Sequence, residues 1–165
     1  YLIRCGHREI AYVGNVYSPS SIQDRFLGYY KSLLEHGLKF NERYLINDRD
    51  EHGTYIDIEL PEQMPTAFVC NCDQVAYLLG ERLTSMGYRI PDDCSIVGFD
   101  NDVYATLANP PLTTVEVDIE QMARSAVKAI MDKVSNPHRR IGRMLVQGKI
   151  IYRDSVKNLN TEPAE

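Results

Sequence analysis

Arg25, Asp73 and Asp100 share one kind of position. Each comes shortly after an apolar run that reads as a buried strand: Ile10–Gly14 (IAYVG), Thr66–Cys70 (TAFVC) and Ser95–Phe99 (SIVGF). In a parallel sheet, side chains at the carboxyl ends of strands line the crevice where ligands bind. The first strand leads to Ser18 and then to Arg25 in the following helical turn, the third to Cys72-Asp73-Gln74, and the fourth to Asp100-Asn101-Asp102. An arginine facing carboxylates among small polar groups binds hydroxyls or a carboxylate through paired hydrogen bonds. A solvated or purely structural Arg–Asp pair fits the same spacing.

Catalytic and metal chemistry find less support. His7, His36, His52 and His138 fall near the ends of expected elements, and none follows a strand as a base or metal ligand would. No HExxH, GxSxG, GxGxxG or phosphate-loop pattern occurs. Cys70-x-Cys72 has no second Cys/His pair to complete a metal site. The expectation is therefore no catalytic residue, no metal and no cofactor.

These residues need elements to hold them. Ile22, Phe26, Tyr29, Tyr30, Leu33 and Leu34 recur at helical spacing between Ser20 and Gly37, which predicts a first helix. Val75, Leu79, Leu83 and Met86 predict a second, closed by Gly87. Asp118-Ile119-Glu120-Gln121 fits a capping box opening a third, which Asn136-Pro137 ends. Further strands are expected at residues 43–47 and 112–117, and two short strand-like pieces at 143–147 and 149–153. Between 48 and 65 no 3.6-residue period appears. Ile56, Ile58 and Leu60 alternate with acidic residues there, as in an extended segment. Strands alternating with helices predict an α/β fold, a doubly wound, mostly parallel sheet flanked by helices.

The 165 residues carry a net charge of −5, enough chain for one domain with a sizeable core. Nine of the 18 basic residues lie in 121–157, where only Asp132 and Asp154 oppose them. They are spread along a helix and a hairpin rather than clustered, so the chain itself is not expected to bind DNA. No apolar run reaches the roughly 18–20 residues of a membrane span, and the start YLIRCGHRE lacks a signal-peptide core. Four cysteines without paired spacing suggest free thiols in a reducing cytoplasm.

The order HREIAYVG, Ser18-Pro19-Ser20, Arg25-Phe26-Leu27-Gly28-Tyr29, PTAFVCNCDQVAY, GYRIPDDCSIVGFDND, NPPLTTVEVDIEQMARSAVKAI and IIYRDSV resembles the effector-sensing region of LacI/GalR-type transcription regulators. RIPDDCSIVGFD followed by PPLTTV is the specific part. The resemblance implies the second lobe of a periplasmic-binding-protein-like core over residues 7–157; residues 158–165 read, from their composition, as a disordered tail. The resemblance also implies that the DNA-reading head and most of the first lobe are not in this chain, and that helix 118–135 crosses back to that lobe.

By the same resemblance, Arg25 and Asp100 contact a sugar or sugar-like effector. Cys72-Asp73 stands where the family has Asn-Asp, so a thiol replaces an amide unless Asn71 substitutes after a local shift. Asp48 and Arg49 fall at another pocket position, and the usual crossover helix between strands two and three is missing. A homodimer is implied through the first helix and the segments around Tyr77 and Tyr104–Asn109, with Tyr29, Tyr77, Tyr104, Ala108 and Asn109 as interface candidates. The partners expected are a small-molecule effector, a second copy and, through the missing head, DNA, with no membrane. A fragment of a periplasmic-type sugar transport protein is the alternative. A small α/β enzyme using Asp73 and Asp100 is a third class.

Overall fold

Four consecutive buried residues, Ile10–Val13, form β1 and leave no face for water. In a computed structural model that describes residues 1–17 and 20–160, β1 lies in the middle of a parallel sheet. Its neighbours are β2 (Leu45–Ile46) and β3 (Ala67–Cys70), and β4 (Ser95–Val97) pairs on the far side of β3. The register sets Ile10 beside Ala67, Val13 beside Cys70, and Phe68 beside Ile96. All three pairings are parallel, as continuous apolar runs require of a sheet covered on both faces.

Helix α1 (Ser20–Glu35) lays Tyr29 and Leu33 on one face of the sheet, with Phe26 and Tyr30 packed alongside. Leu34, expected on the same stripe, instead faces water. Helix α2 (Asp73–Ser85) covers the other face through Val75, Ala76, Leu79 and Leu83, while Met86 is exposed. The short α3 (Val103–Leu107) packs beside α2 and buries Ala105. Then β5 (Thr114–Glu116) pairs antiparallel with β6 (Lys149–Ile151), in register Thr114 to Ile151 and Glu116 to Lys149.

Three local expectations need correction. The second strand is two residues long because residues 42–44 coil into a 3-10 turn, capped by the Asn41 side chain accepting from Arg43 N–H. Residues 143–148 form no strand, since pairing with the three-residue β5 engages only 149–151. Of the expected tail, residues 158–160 are held: Leu159 N–H donates to Cys5 O at 2.7 Å and Asn160 Nδ2 to Arg4 O at 2.6 Å.

Helix α4 (Ile119–Ser135) starts as the sequence indicates, with Asp118 Oδ1 accepting from Gln121 N–H at 2.8 Å. None of its residues is buried, and Ile119, Met122, Ile130 and Val134 lie exposed. The segment from Asn47 to Thr66 carries no helix, as the missing period predicts; Ile58 alone of its alternating residues is fully buried. Among the described residues no helix is long and apolar enough to cross a membrane.

Candidate functional site

The strand ends converge on one edge of the sheet. Arg25, on the first turns of α1, extends its guanidinium over the Phe99 ring at 3.9 Å, where the ring face attracts the cation. Its Nη2 donates to Asp100 Oδ1 at 3.1 Å, and its Nη1 donates to the carbonyl of Asn71. One side chain thereby ties together the ends of β3 and β4. The pair is half-sheltered, with 21% of the Arg25 side chain and 37% of that of Asp100 exposed.

Asp100 adopts φ 107° and Asn101 φ 56°, a left-handed turn that Asp and Asn tolerate better than most residues. The turn is fixed from the side. Arg153 Nη2 donates to Asn101 Oδ1 at 2.7 Å, and Asn101 Nδ2 donates to Glu116 Oε1 at 3.0 Å. Asp100 N–H donates to Val115 O at 2.9 Å. Burial raises the Asp100 carboxyl above its ordinary range, and Arg25 opposes that shift. The carboxylate borders a cleft of about 430 Å³ with Glu116, Asp118, Gln147 and Lys149.

Asp73 has another role than the one expected. It is fully enclosed: Oδ1 accepts from the Thr114 hydroxyl at 2.6 Å and Oδ2 from Asp102 N–H at 3.0 Å. Burial raises its pKa, and these two donors pull it back. Asp73 therefore clamps the start of α2 to β5 and the β4 turn and is not available to touch a ligand. Gly98 makes this possible, since a Cβ there would lie 2.0 Å from Asp73 Oδ1.

On the other flank Asp48, also buried, accepts from Asn15 N–H at 2.6 Å, Asn71 Nδ2 at 3.1 Å and Arg49 Nε at 3.3 Å. The Asn71 side chain thus points inward, and its Oδ1 has no hydrogen-bond partner among the described residues. Cys72, the half-buried N-cap of α2, is the group presented at the strand end; there is no local shift that swaps in Asn71. Burial raises the Cys72 thiol pKa, so it stands there as a neutral thiol rather than a nucleophilic thiolate. Arg49 has 26% of its side chain exposed and donates through Nη2 to the Tyr55 hydroxyl at 2.7 Å.

Ser18 lies outside the described residues. Strand-end spacing pointed to Arg25, Cys72, Gln74 and Asp100, and the family resemblance added Asn71, Asp48 and Arg49; Phe99, Asn15 and Tyr55 were missed. Phe99 closes the SIVGF run, and a ring at a strand end next to a predicted arginine site was a usable signal. Tyr55 lies in an irregular loop and gave none.

Of the expected interface residues, Tyr29 is turned into the core beside Tyr12 and Phe26, its hydroxyl donating to Ile10 O at 2.8 Å. Ala108 is buried in the other core cluster. Both keep less than a tenth of their surface exposed. Tyr77 and Tyr104 pack against each other at 5.6 Å between α2 and α3, with Asn109 exposed nearby. Leu78, Val103 and Leu107 are exposed around them.

This geometry can hold a polar small molecule by directed hydrogen bonds. His36, His52 and His138 are exposed, and His7 is buried beside Thr66, before the start of β3. Among the described residues no group of three or more His, Cys, Asp or Glu could hold a metal ion.

Residues 1–156 match the family model described as a periplasmic binding protein-like domain. The chain belongs to that family. This periplasmic binding protein-like domain is 30% identical over 164 residues to the HTH-type transcriptional repressor PurR of Vibrio campbellii, covering 97% of this chain and 49% of the relative. It is 28% identical over 166 residues to the probable HTH-type transcriptional repressor ExuR of Bacillus subtilis, covering 98% and 50%. The domain thus spans about half the length of the curated relatives it matches. Among solved structures it superposes on a putative LacI transcriptional regulator from Bacillus cereus subsp. cytotoxis with TM-score 0.81 at 27% identity, covering 96% of this chain and 57% of the other. The transcriptional repressor ascG of Escherichia coli gives 0.75 at 27%, covering 94% and 58%. The relatives of the domain are LacI-type regulators, as the GFD and PPLTTV segments led one to expect.

Proposed function

We propose that this domain is the ligand-sensing and dimerising part of a cytoplasmic LacI/GalR-like transcription regulator. In this reading it binds a sugar or sugar-like effector and does not turn it over. The observation that carries the reading is the Arg25–Asp100 pair on the Phe99 ring, held at the carboxyl ends of β3 and β4. A carboxylate accepts from vicinal hydroxyls while a guanidinium donates to ring and hydroxyl oxygens, so the two recognise a polyol together. The mechanism is a population shift: effector bound at this edge favours one closure of the core, and that alters how a dimer presents its DNA heads. The β4 turn supports such a link, because Asn101 and Asp100 are bonded to β5, which pairs with β6. The repressor relatives favour this reading over a transport protein.

The test uses the full-length regulator in a gel-shift assay against the DNA upstream of its own gene, with a panel of sugars. A sugar that shifts operator affinity in the parent and fails to do so in Asp100→Ala supports the reading. Operator binding indifferent to every small molecule tried, or turnover of any of them, overturns it.

A further inference from the structure

The link between β2 and β3 holds a small device. Instead of a helix, residues 48–56 fold back on themselves. Asp50 N–H donates to Thr54 O at 2.9 Å, and Asp50 Oδ1 accepts from the amides of His52 at 2.9 Å and Thr54 at 2.8 Å. Arg49 and Tyr55 then face each other as an antiparallel bridge. The Arg49 guanidinium lies 4.3 Å from the Tyr55 ring centroid, and the Tyr55 hydroxyl donates to Gln74 Oε1 at 3.0 Å. Ring, hydroxyl and the buried Asp48 fix the guanidinium plane on three sides.

The nearby carboxylates are already engaged. Asp48 serves three donors below the surface, Asp73 is enclosed, Asp50 is held within its own turn, and Asp100 is paired with Arg25. Arg49 retains a quarter of its side-chain surface, and its Nη1 has no hydrogen-bond partner among the described residues. Both arginines lean on the same residue, Arg25 through the Asn71 carbonyl and Arg49 through the Asp48 that binds the Asn71 amide. Two oriented guanidinium groups thus lean on Asn71, and Cys72 follows it in the chain as the N-cap of α2.

From this we infer that the effector carries an anionic group, a carboxylate or a phosphate, beside its hydroxyls, and that Arg49 is the residue that reads it. The inference rests on the small-molecule site proposed above. When the effector covers this edge, a neutral ligand would strip water from the outer side of Arg49 and offer hydroxyl oxygens but no countercharge. An anionic oxygen pair supplies one, and the guanidinium loses little freedom because Tyr55 and Asp48 have already fixed it. Tyr55 is a positioning residue in this scheme.

The test is calorimetric titration of the full-length regulator with D-glucose and D-galactose, their uronates and their 6-phosphates, at low and high NaCl. At low salt the better anionic series should bind at least ~10-fold more tightly than its neutral parent, with the advantage shrinking in salt. Arg49→Gln should bring the ratio of anionic to neutral affinity close to one. Tyr55→Phe, which keeps the ring and removes the hydroxyl, should lower that ratio less. A uronate preference over the 6-phosphate names a carboxylate, and the reverse names a phosphate. Neutral sugars binding as tightly as their acids, with that binding lost in Asp100→Ala, would overturn the anion assignment and leave the sensing site standing. An anion preference that survives Arg49→Gln in a folded variant would also overturn it. No binding by any of the six would overturn both.

Discussion

Arg25 and Asp100 meet at 3.1 Å although 75 residues of chain separate them. The sheet order β2-β1-β3-β4 brings them together, since it carries the helix after β1 and the turn after β4 to the same edge. Asp100→Ala in the full-length regulator is expected to remove the hydroxyl-accepting carboxylate and leave Arg25 uncompensated. With 37% of the Asp100 side chain exposed, solvent screens part of the effect, so effector binding should weaken by about 1–2 kcal/mol, roughly five- to thirtyfold. Titration of the variant against the parent's effector checks this, and unchanged affinity would remove Asp100 from the site.

Gly98→Ala should damage stability while leaving the surface unaltered. The new Cβ would lie 2.0 Å from Asp73 Oδ1, and Asp73 cannot yield without releasing the Thr114 hydroxyl and Asp102 N–H. A loss of about 3 kcal/mol is expected from overpacking plus one broken buried hydrogen bond, read from urea unfolding midpoints. A loss below about 0.5 kcal/mol would mean that α2 shifts freely there.

His7 sets a pH dependence with a definite sign. Its Nε2 faces Lys157 O at 3.0 Å, so that nitrogen carries the proton, and Nδ1 faces the Thr66 hydroxyl at 3.0 Å. Burial lowers its pKa below the ordinary 6.5. The folded chain therefore binds the second proton more weakly than the unfolded chain does. This contribution to stability is complete above about pH 6.5 and is lost as pH falls from there through the lower folded-state value. Melting temperatures between pH 7.5 and 5 should decline in the parent and decline less in His7→Gln; parallel curves would exclude His7 as the cause.

The α2–α3 surface is expected to carry self-association. Tyr77 and Tyr104 meet as tilted rings, and Leu78, Val103 and Leu107 leave apolar surface open around them. Val103→Glu, at an exposed position on α3, should shift sedimentation of the full-length regulator toward monomer with no change in circular dichroism. A parent that sediments as a monomer at high micromolar concentration would sink this prediction.

The strands and the first two helices were legible because a buried parallel strand is a run of apolar residues and a covering helix repeats every three to four. Val75, Leu79 and Leu83 show this directly. The Arg25–Asp100 pair was legible from strand order. What the sequence hid was direction. Asp73 and Asp100 follow their strands in the same way, yet Asp73 turns inward because Gly98 leaves room and Thr114 offers a hydroxyl two strands away. Helical spacing put Tyr29 on the apolar stripe while the family resemblance named it an interface residue, and the buried hydrogen bond to Ile10 O sides with the spacing. The Arg49–Tyr55 clamp was illegible because it depends on a turn with no periodic signal.

Helix α4 buries none of its 17 residues, so in this chain its persistence rests on local terms. Those are the Asp118 cap, the Arg124–Glu120 ion pair one turn apart and the Asp132–Arg139 pair at its end. It therefore forms a separate cooperative unit of low stability. In deuterated buffer its amides should exchange almost as fast as those of a free peptide, while those of β1 and β3 exchange only through global opening. Whatever surface covers Ile119, Met122, Ile130 and Val134 would then be detected first as slowed exchange along this one helix, before any change in the sheet.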